Sequence, residues 1–266
     1  METLYTYLNT YNDWDGHIHL FNHKKILPRK PGFHRYVGFM DIEYDDVENI
    51  NVLNAYSNYI DKHYNQETDI LLATGLTIED IKSVHEKYPD IIKGFGELKC
   101  YDSYKGENIP YKKIGFVRQV VNYSSKHGSL PVYVHWEFNN SKDVKKLENI
   151  IQDYPTVPLV ICHLGMNEYN KDIAFVESMR LQKQYNNVWL DISWCSFQYL
   201  IENMMRLNNL DTSRIILGSD FNNKLFSKNH DKNKRKDIVN KFLKIKEYLR
   251  LNNSKNIRSL FFNINP

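Results

Sequence analysis

Short apolar segments alternate along the chain with longer amphipathic ones, a pattern typical of βα units and a parallel sheet. Five amphipathic segments predict helices: Ile78–Lys87, Tyr111–His127, Ser141–Asp153, Phe197–Leu207 and Lys236–Leu251. Seven apolar segments predict strands: Gly16–Phe21, Asp69–Thr74, Ile91–Leu98, Pro131–His135, Leu159–His163, Val188–Ile192 and Arg214–Asp220.

A closed barrel of eight strands requires one more strand between Phe21 and Asp69. We favour Ile50–Ala55 for it, with Arg35–Phe39 as the alternative, and the terminal segment Leu260–Ile264 could form a further strand. A chain of 266 residues has the usual length of a single α/β barrel. The pattern therefore predicts one domain over residues 1–266, a (β/α)₈ TIM barrel.

Composition narrows the classes of function. The chain is 42% hydrophobic and 25% charged, as in ordinary globular proteins, and its three cysteines are too widely spaced to indicate a disulfide framework. A net charge of +3 is too small to indicate a nucleic-acid partner. The basic runs Lys24–Arg35 and Lys224–Lys236 fit either solvated loops or contacts to an anionic substrate. Without a signal peptide or a membrane-length apolar run, we expect a cytoplasmic protein.

Residues that can bind metal lie where the predicted strands end. His17 and His19 are two apart, so their side chains point to the same side of a strand. Six such side chains belong to five predicted strands: His17, His19, Glu97, His135, His163 and Asp220. The C-terminal ends of barrel strands converge on one mouth, so the spacing predicts a divalent metal site there.

Five motifs resemble the successive strand ends of the amidohydrolase superfamily, and most closely its amidohydrolase-2 branch of hydrolases, lactonases and decarboxylases. They are Asp15–Leu20, Val134–His135, Cys162–Gly165, Leu190–Ser193 and Leu217–Asp220. Gly94–Glu97 also resembles the Gly-Glu strand end of TatD-related nucleases. The resemblance covers roughly residues 15 to 223, and the stretch from Asn22 to Gln66 matches nothing in the family.

The resemblance implies a set of metal ligands. His17 and His19 would bind a first ion with Asp220, His135 and His163 would bind a second, and Glu97 would bridge the two ions. In some members a carbamylated lysine bridges instead, and Lys99 is the candidate for that role. In members with one ion, His163 would contact the substrate. We expect zinc first, with manganese, iron or nickel as alternatives.

The implied activity is hydrolysis of an amide, ester, lactone or phosphoester in a small anionic molecule. Water activated by the metal would attack, with Asp220 as general base and His163 as a second catalytic group. A decarboxylase of the same branch and a TatD-like nuclease are the alternatives. Four residues are expected to bind substrate: Lys99, Trp136, Trp194 and Lys224.

Two residues beside the ligands have open or minor roles in this interpretation. Asp191 would either orient a ligand histidine or satisfy a polar network in the core. Cys162 precedes His163 directly, so it is expected to point away from the mouth into the layer between barrel and helices. The sequence indicates neither the particular substrate nor the oligomeric state.

Overall fold

The computed structural model describes residues 15–22, 25–26, 35–40, 51–66, 69–100, 111–167, 169–193, 197–207, 210–218 and 244–262. Nine strands form one sheet in the order β2-β1-β3-β4-β5-β6-β7-β8-β9, and all except β2 run parallel. Their bounds are Asp15–Asn22, Lys25–Ile26, Tyr36–Met40, Asp69–Ala73, Ile92–Lys99, Val132–His135, Leu159–Ile161, Val188–Asp191 and Ile215–Ile216 for β1 to β9.

The two ends of the sheet meet through glycines. The backbone N–H of Gly16, in β1, donates to the carbonyl of Leu217, which follows β9, over 3.1 Å. A Cβ on Gly218 would lie 2.4 Å from the Cβ of His17, so a side chain at Gly218 could not be accommodated without movement. This contact joins the last parallel strand to the first. Together with the barrel folds of similar proteins described below, it confirms the predicted (β/α)₈ architecture.

The strand that the sequence left uncertain is formed by the alternative segment, Arg35–Phe39, and not by the favoured one. Tyr36–Met40 forms β3, between β1 and β4, whereas the favoured segment Ile50–Ala55 runs into helix α1, Val52–His63. Asn51 caps that helix by accepting a hydrogen bond from the N–H of Asn54. The residues that α1 buries, Val52, Tyr56 and Tyr59, have helical spacing. The prediction of a strand at Ile50–Ala55 was wrong because its few apolar residues fit one turn of a helix equally well.

Helices form in the five predicted segments, although Phe197–Leu207 divides into two and residues 236–243 lie outside the described residues. The helices Lys171–Gln184 and Asn253–Phe262 are additional to the prediction. In chain order, the helices after α1 are α2 Ile78–Lys87, α3 Tyr111–Lys126, α4 Ser141–Asp153, α5 Lys171–Gln184, α6 Phe197–Glu202, α7 Met204–Leu207 and α8 Asn253–Phe262; residues 244–249 are also helical. Thr77 forms a capping box with Asp80 at the start of α2. Asn140 caps α4 by accepting hydrogen bonds from the N–H groups of Lys142 and Asp143. The proposed terminal strand is wrong up to Phe262, since those residues end α8; the rest of that segment lies outside the described residues.

Two hydrophobic layers hold the barrel. One lies between strands and helices, and the other fills the barrel interior, where Val37, Ile70, Leu72, Val160 and Ile216 alternate with the residues of the first layer. Helix α8 adds apolar residues to the interior layer at the N-terminal ends of the strands, where its Phe261 approaches Gly94 of β5. Within the described ranges no helix has the length and apolar character needed to cross a membrane.

Candidate metal centre

The first pair of predicted ligands lies on β1. His17 and His19 are both buried and face the barrel interior, with their ring centroids 5.3 Å apart. His17 Nδ1 lies 2.5 Å from Asp191 Oδ2, at the end of β8, and both side chains are fully buried. Strand alternation on β1 thus brings both imidazoles to one mouth.

Glu97 reaches the same place through an irregularity in β5. The ladder between β5 and β6 shifts register between Phe95 and Leu98, so Glu97 joins the interior although Phe95 belongs to the outer layer. Its Oε1 atom lies 2.9 Å from His135 Nδ1 and 3.2 Å from His163 Nε2, and its Oε2 atom lies 3.9 Å from His19 Nε2. One carboxylate therefore touches histidines from three strand ends.

His163 enters the mouth by a turn. Cys162 already faces the interior, so simple alternation would send His163 outward. Instead His163 and Leu164 both have a φ of 55°, within the short 3₁₀ segment Cys162–Gly165 that follows β7. The imidazole Nδ1 then donates to the carbonyl of Ser193 over 2.7 Å. The left-handed backbone is what directs His163 towards Glu97.

The charges at the centre suit a cation. Burial by itself would raise the pKa of Glu97, but the charge of His135 and hydrogen bonds from His135 and His163 outweigh burial and hold that pKa well below its usual range. Burial lowers the pKa of His135 despite the nearby carboxylate. An ionised carboxylate beside a neutral imidazole is the protonation state that metal coordination requires.

The donor set fits a divalent transition metal. One ligand atom each from His17, Glu97 and His163 lies within 4.8 Å of the others, and all three residues are buried. Imidazole nitrogen and carboxylate oxygen are the ligands that zinc, manganese and iron take in proteins. His19 and His135 adjoin the same carboxylate. Five of the six predicted ligands are therefore brought together, and the sixth, Asp220, lies outside the described residues.

The structure describes two of the four predicted substrate-binding residues, Lys99 and Trp136. Lys99 is half-buried at the end of β5, opposite His135 in the ladder, while Trp194 and Lys224 lie outside the described residues. Trp136 does not line the mouth: it is fully buried between barrel and helices, and its Nε1 donates to the backbone oxygen of Asp143. The physical reason is alternation, because the residue after an inward-facing strand end points outward.

Cys162 also departs from the expectation. Its side chain belongs to the interior layer and its Sγ lies within 4.8 Å of ligand atoms of His17 and Asp191, rather than between barrel and helices. Burial raises the pKa of this thiol well above its usual range, so it is a thiol and not a nucleophilic thiolate. The error arose from treating Cys162 and His163 as one continuous strand.

The hydrogen bonds at the end of β8 bear on the role of Asp191, which the sequence left open. Asp191 Oδ1 accepts from the N–H of Ser193 and Oδ2 from its hydroxyl, each over 2.7 Å, beside the contact of Oδ2 with His17. The carbonyl of Ser193 in turn accepts from His163. Asp191 and Ser193 thus orient two candidate ligands, a role that Leu190–Ser193 suggested only through its position at a strand end.

Comparisons with known proteins agree with this geometry. Residues 125–246 match the family model of amidohydrolases. No curated protein gives a significant match. The fold resembles a probable 2-pyrone-4,6-dicarboxylic acid hydrolase from Acinetobacter baumannii, solved with citric acid bound (17% identity, 94% of this chain and 99% of that one, TM-score 0.62). It also resembles dihydroorotase from Campylobacter jejuni (16%, 94% and 81%, TM-score 0.53) and the IDCase of Metarhizium anisopliae (10%, 86% and 73%, TM-score 0.50).

The family match covers 122 of the 266 residues, and the similar structures share the barrel fold with this chain. The match over residues 125–246 agrees with the resemblance to the amidohydrolase-2 branch that the strand-end motifs predicted.

Proposed function

We propose that this protein hydrolyses a small anionic molecule with a divalent metal held at the mouth of the barrel. The observation that carries the proposal is the Glu97 carboxylate, which lies within 3.2 Å of imidazole nitrogens of both His135 and His163 and 3.9 Å from His19. We assign the metal to His17, His19, Glu97, His135, His163 and Asp220, as one ion or two, with zinc first and manganese, iron or nickel as alternatives.

Each residue of the site has its own role in the proposed reaction. A divalent ion held there lowers the pKa of water and polarises the substrate oxygen. Asp220 takes the proton from the attacking water, and His163 contacts the substrate where only one ion is present. Lys99 and Lys224 neutralise the substrate's negative charge, and Trp194 covers its apolar surface. Asp191 holds His17 by its Nδ1 atom, so Nε2 would be the atom that binds the ion.

The substrate class has support from one similar structure. The Acinetobacter protein is named for hydrolysis of a dicarboxylic acid and was solved with citric acid bound. Lys99, which stands opposite His135 in the ladder between β5 and β6, suits the same kind of polyanion. The bond cleaved in this protein is an amide, ester, lactone or phosphoester, which a panel of carboxylate-bearing substrates of each type would distinguish.

Metal content tests the proposal first. Purified protein offered Zn²⁺ or Mn²⁺ should bind one or two equivalents by elemental analysis, and a His17→Ala/His19→Ala variant should bind none while its circular dichroism stays native. His63→Ala, on the last turn of α1, is the matched control and should bind as the unaltered protein does. A native protein that binds neither ion contradicts the proposal.

A decarboxylase is the second candidate, favoured by the likeness to IDCase over 86% of this chain. In that reaction the same residues would orient an acid, and a proton would replace the departing CO₂. Measuring CO₂ release alongside hydrolysis, on metal-loaded protein and with the same carboxylate-bearing panel, separates the two. Release of CO₂ without hydrolysis of any panel member would replace the hydrolase proposal with the lyase.

A further inference from the structure

Glu137 is a carboxylate near the mouth that the proposed reaction does not use. It follows β6 in the chain, and its two neighbours, Trp136 and Phe138, are both fully buried between barrel and helices. The N–H of Phe138 donates to the carbonyl of Gly165 over 2.9 Å, which fixes this segment beside the end of β7. Glu137 therefore lies on the opposite side, the side of His135.

The carboxylate of Glu137 is held in place from one side. Asn167 Nδ2 donates to Glu137 Oε2 over 2.8 Å and also contacts Asn139 Oδ1. The oxygen of the Asn167 amide accepts from the N–H groups of Tyr169 and Asn170, so the asparagine is itself fixed. The loops after β6 and β7 thus present the Glu137 carboxylate in a defined position at the mouth.

Asn167 holds Oε2 of Glu137, whereas the other carboxylate oxygen, Oε1, reaches solvent. Glu137 is only 8% exposed, and a carboxylate offers about four acceptor positions. Within the described part of the chain its side-chain hydrogen bonding consists of the neutral amide of Asn167, and no lysine or arginine lies within ion-pair distance. A buried carboxylate in this position is stabilised when a further donor approaches from the mouth.

We infer that Glu137 determines substrate specificity by accepting a hydrogen bond from a protonated amine of the substrate. This rests on the proposed function, and it refines the substrate class to an acid that also carries an ammonium group. The acid end meets the metal and the lysines, while the ammonium group meets Glu137 between the loops after β6 and β7. A substrate lacking the amine leaves the Glu137 carboxylate without its donor, which penalises binding.

Two probes that differ only in the amine test the inference: glutarate and L-glutamate, titrated calorimetrically at pH 7 into metal-loaded and metal-free protein. We expect L-glutamate to bind about tenfold more tightly than glutarate, the usual effect of one charged hydrogen bond. In Glu137→Gln the ratio should fall to within about twofold, since glutamine still accepts from Asn167 but carries no charge. Glu177→Gln, on helix α5 beside Arg180, is the matched control and should keep the ratio.

A purely structural role for Glu137 predicts a different result. If the residue only ties two loops together, Glu137→Gln leaves the ratio unchanged and Asn167→Ala alone lowers the melting temperature. A ratio near one in the native protein, or no binding of either probe, overturns the inference. Zn²⁺ stoichiometry on the same samples keeps the two proposals apart: absent zinc binding contradicts the metal site, whereas the probe ratio is read with or without metal.

Discussion

Replacing Asp191 by asparagine tests how far the end of β8 controls the metal centre. Oδ2 of Asp191 accepts from His17 over 2.5 Å and from the Ser193 hydroxyl over 2.7 Å, while Oδ1 accepts from the Ser193 N–H. Asparagine keeps one oxygen for the Ser193 N–H. The amide group that replaces Oδ2 donates instead of accepting, so the N–H of His17 loses its acceptor and the partner that orients its ring, whereas the Ser193 hydroxyl can accept from the amide.

The expected magnitude follows from burial. His17 and Asp191 are both fully buried, so water cannot replace the missing acceptor. Loss of the group that orients a ligand histidine lowers metal affinity about 10- to 100-fold, or about 1.4 to 2.7 kcal/mol. Competition between the protein and a chromophoric chelator for Zn²⁺ measures the change directly, and a thermal melt checks that the variant folds.

Ser193→Ala supplies the graded comparison. It removes the hydroxyl contacts to Asp191 and to His163 Nδ1 but keeps the backbone carbonyl that holds His163 and the contact between Asp191 and His17, so its loss of affinity should stay below that of Asp191→Asn. The surface variant Asp153→Asn, which affects only an exposed contact to Arg118, should bind as the native protein does. If Asp191→Asn binds Zn²⁺ within about twofold of the native protein, the orienting role is refuted.

Three further predictions concern the barrel and its surroundings. Gly218→Ala should lower the urea unfolding free energy by about 2 kcal/mol or more, because its Cβ would meet His17, whereas Gly115→Ala, with open space around it, should not. Trp136→Phe should lower the melting temperature yet leave metal affinity unchanged, since the indole packs outside the mouth. Burial and the neighbouring His127 lower the pKa of His85 in the folded state. As pH falls below about 6.5, His85 therefore binds a proton in the unfolded chain before it does so in the folded protein, and the free energy of unfolding should decrease. This decrease should be smaller in His85→Gln. An unchanged pH dependence in that variant, or a Trp136→Phe protein that loses metal, would contradict the corresponding assignment.

Local pattern was sufficient wherever the element's own residues decide its form. The helix Ile78–Lys87 could be bounded from the sequence because Thr77 and Asp80 cap it, and their hydrogen bonds involve only neighbours in the chain. The paired histidines of β1 could be recognised because period-two alternation is a local property of strands. The helix after Asn51 could not be recognised in this way, because a few apolar residues fit a strand or a helical turn equally well. Only the packing of Tyr56 and Tyr59 in the core selects the helix.

The candidate site shows the same division. The sequence by itself determined which residue types stand at the strand ends, and so the kind of ion they suit. The tertiary structure decided which of them meet: a register shift in β5 brings Glu97 to His135, and a left-handed turn after β7 directs His163 inward. Both depend on backbone geometry that neighbouring strands impose. The supporting contact between His17 and Asp191 joins residues 174 positions apart, which barrel closure alone makes adjacent.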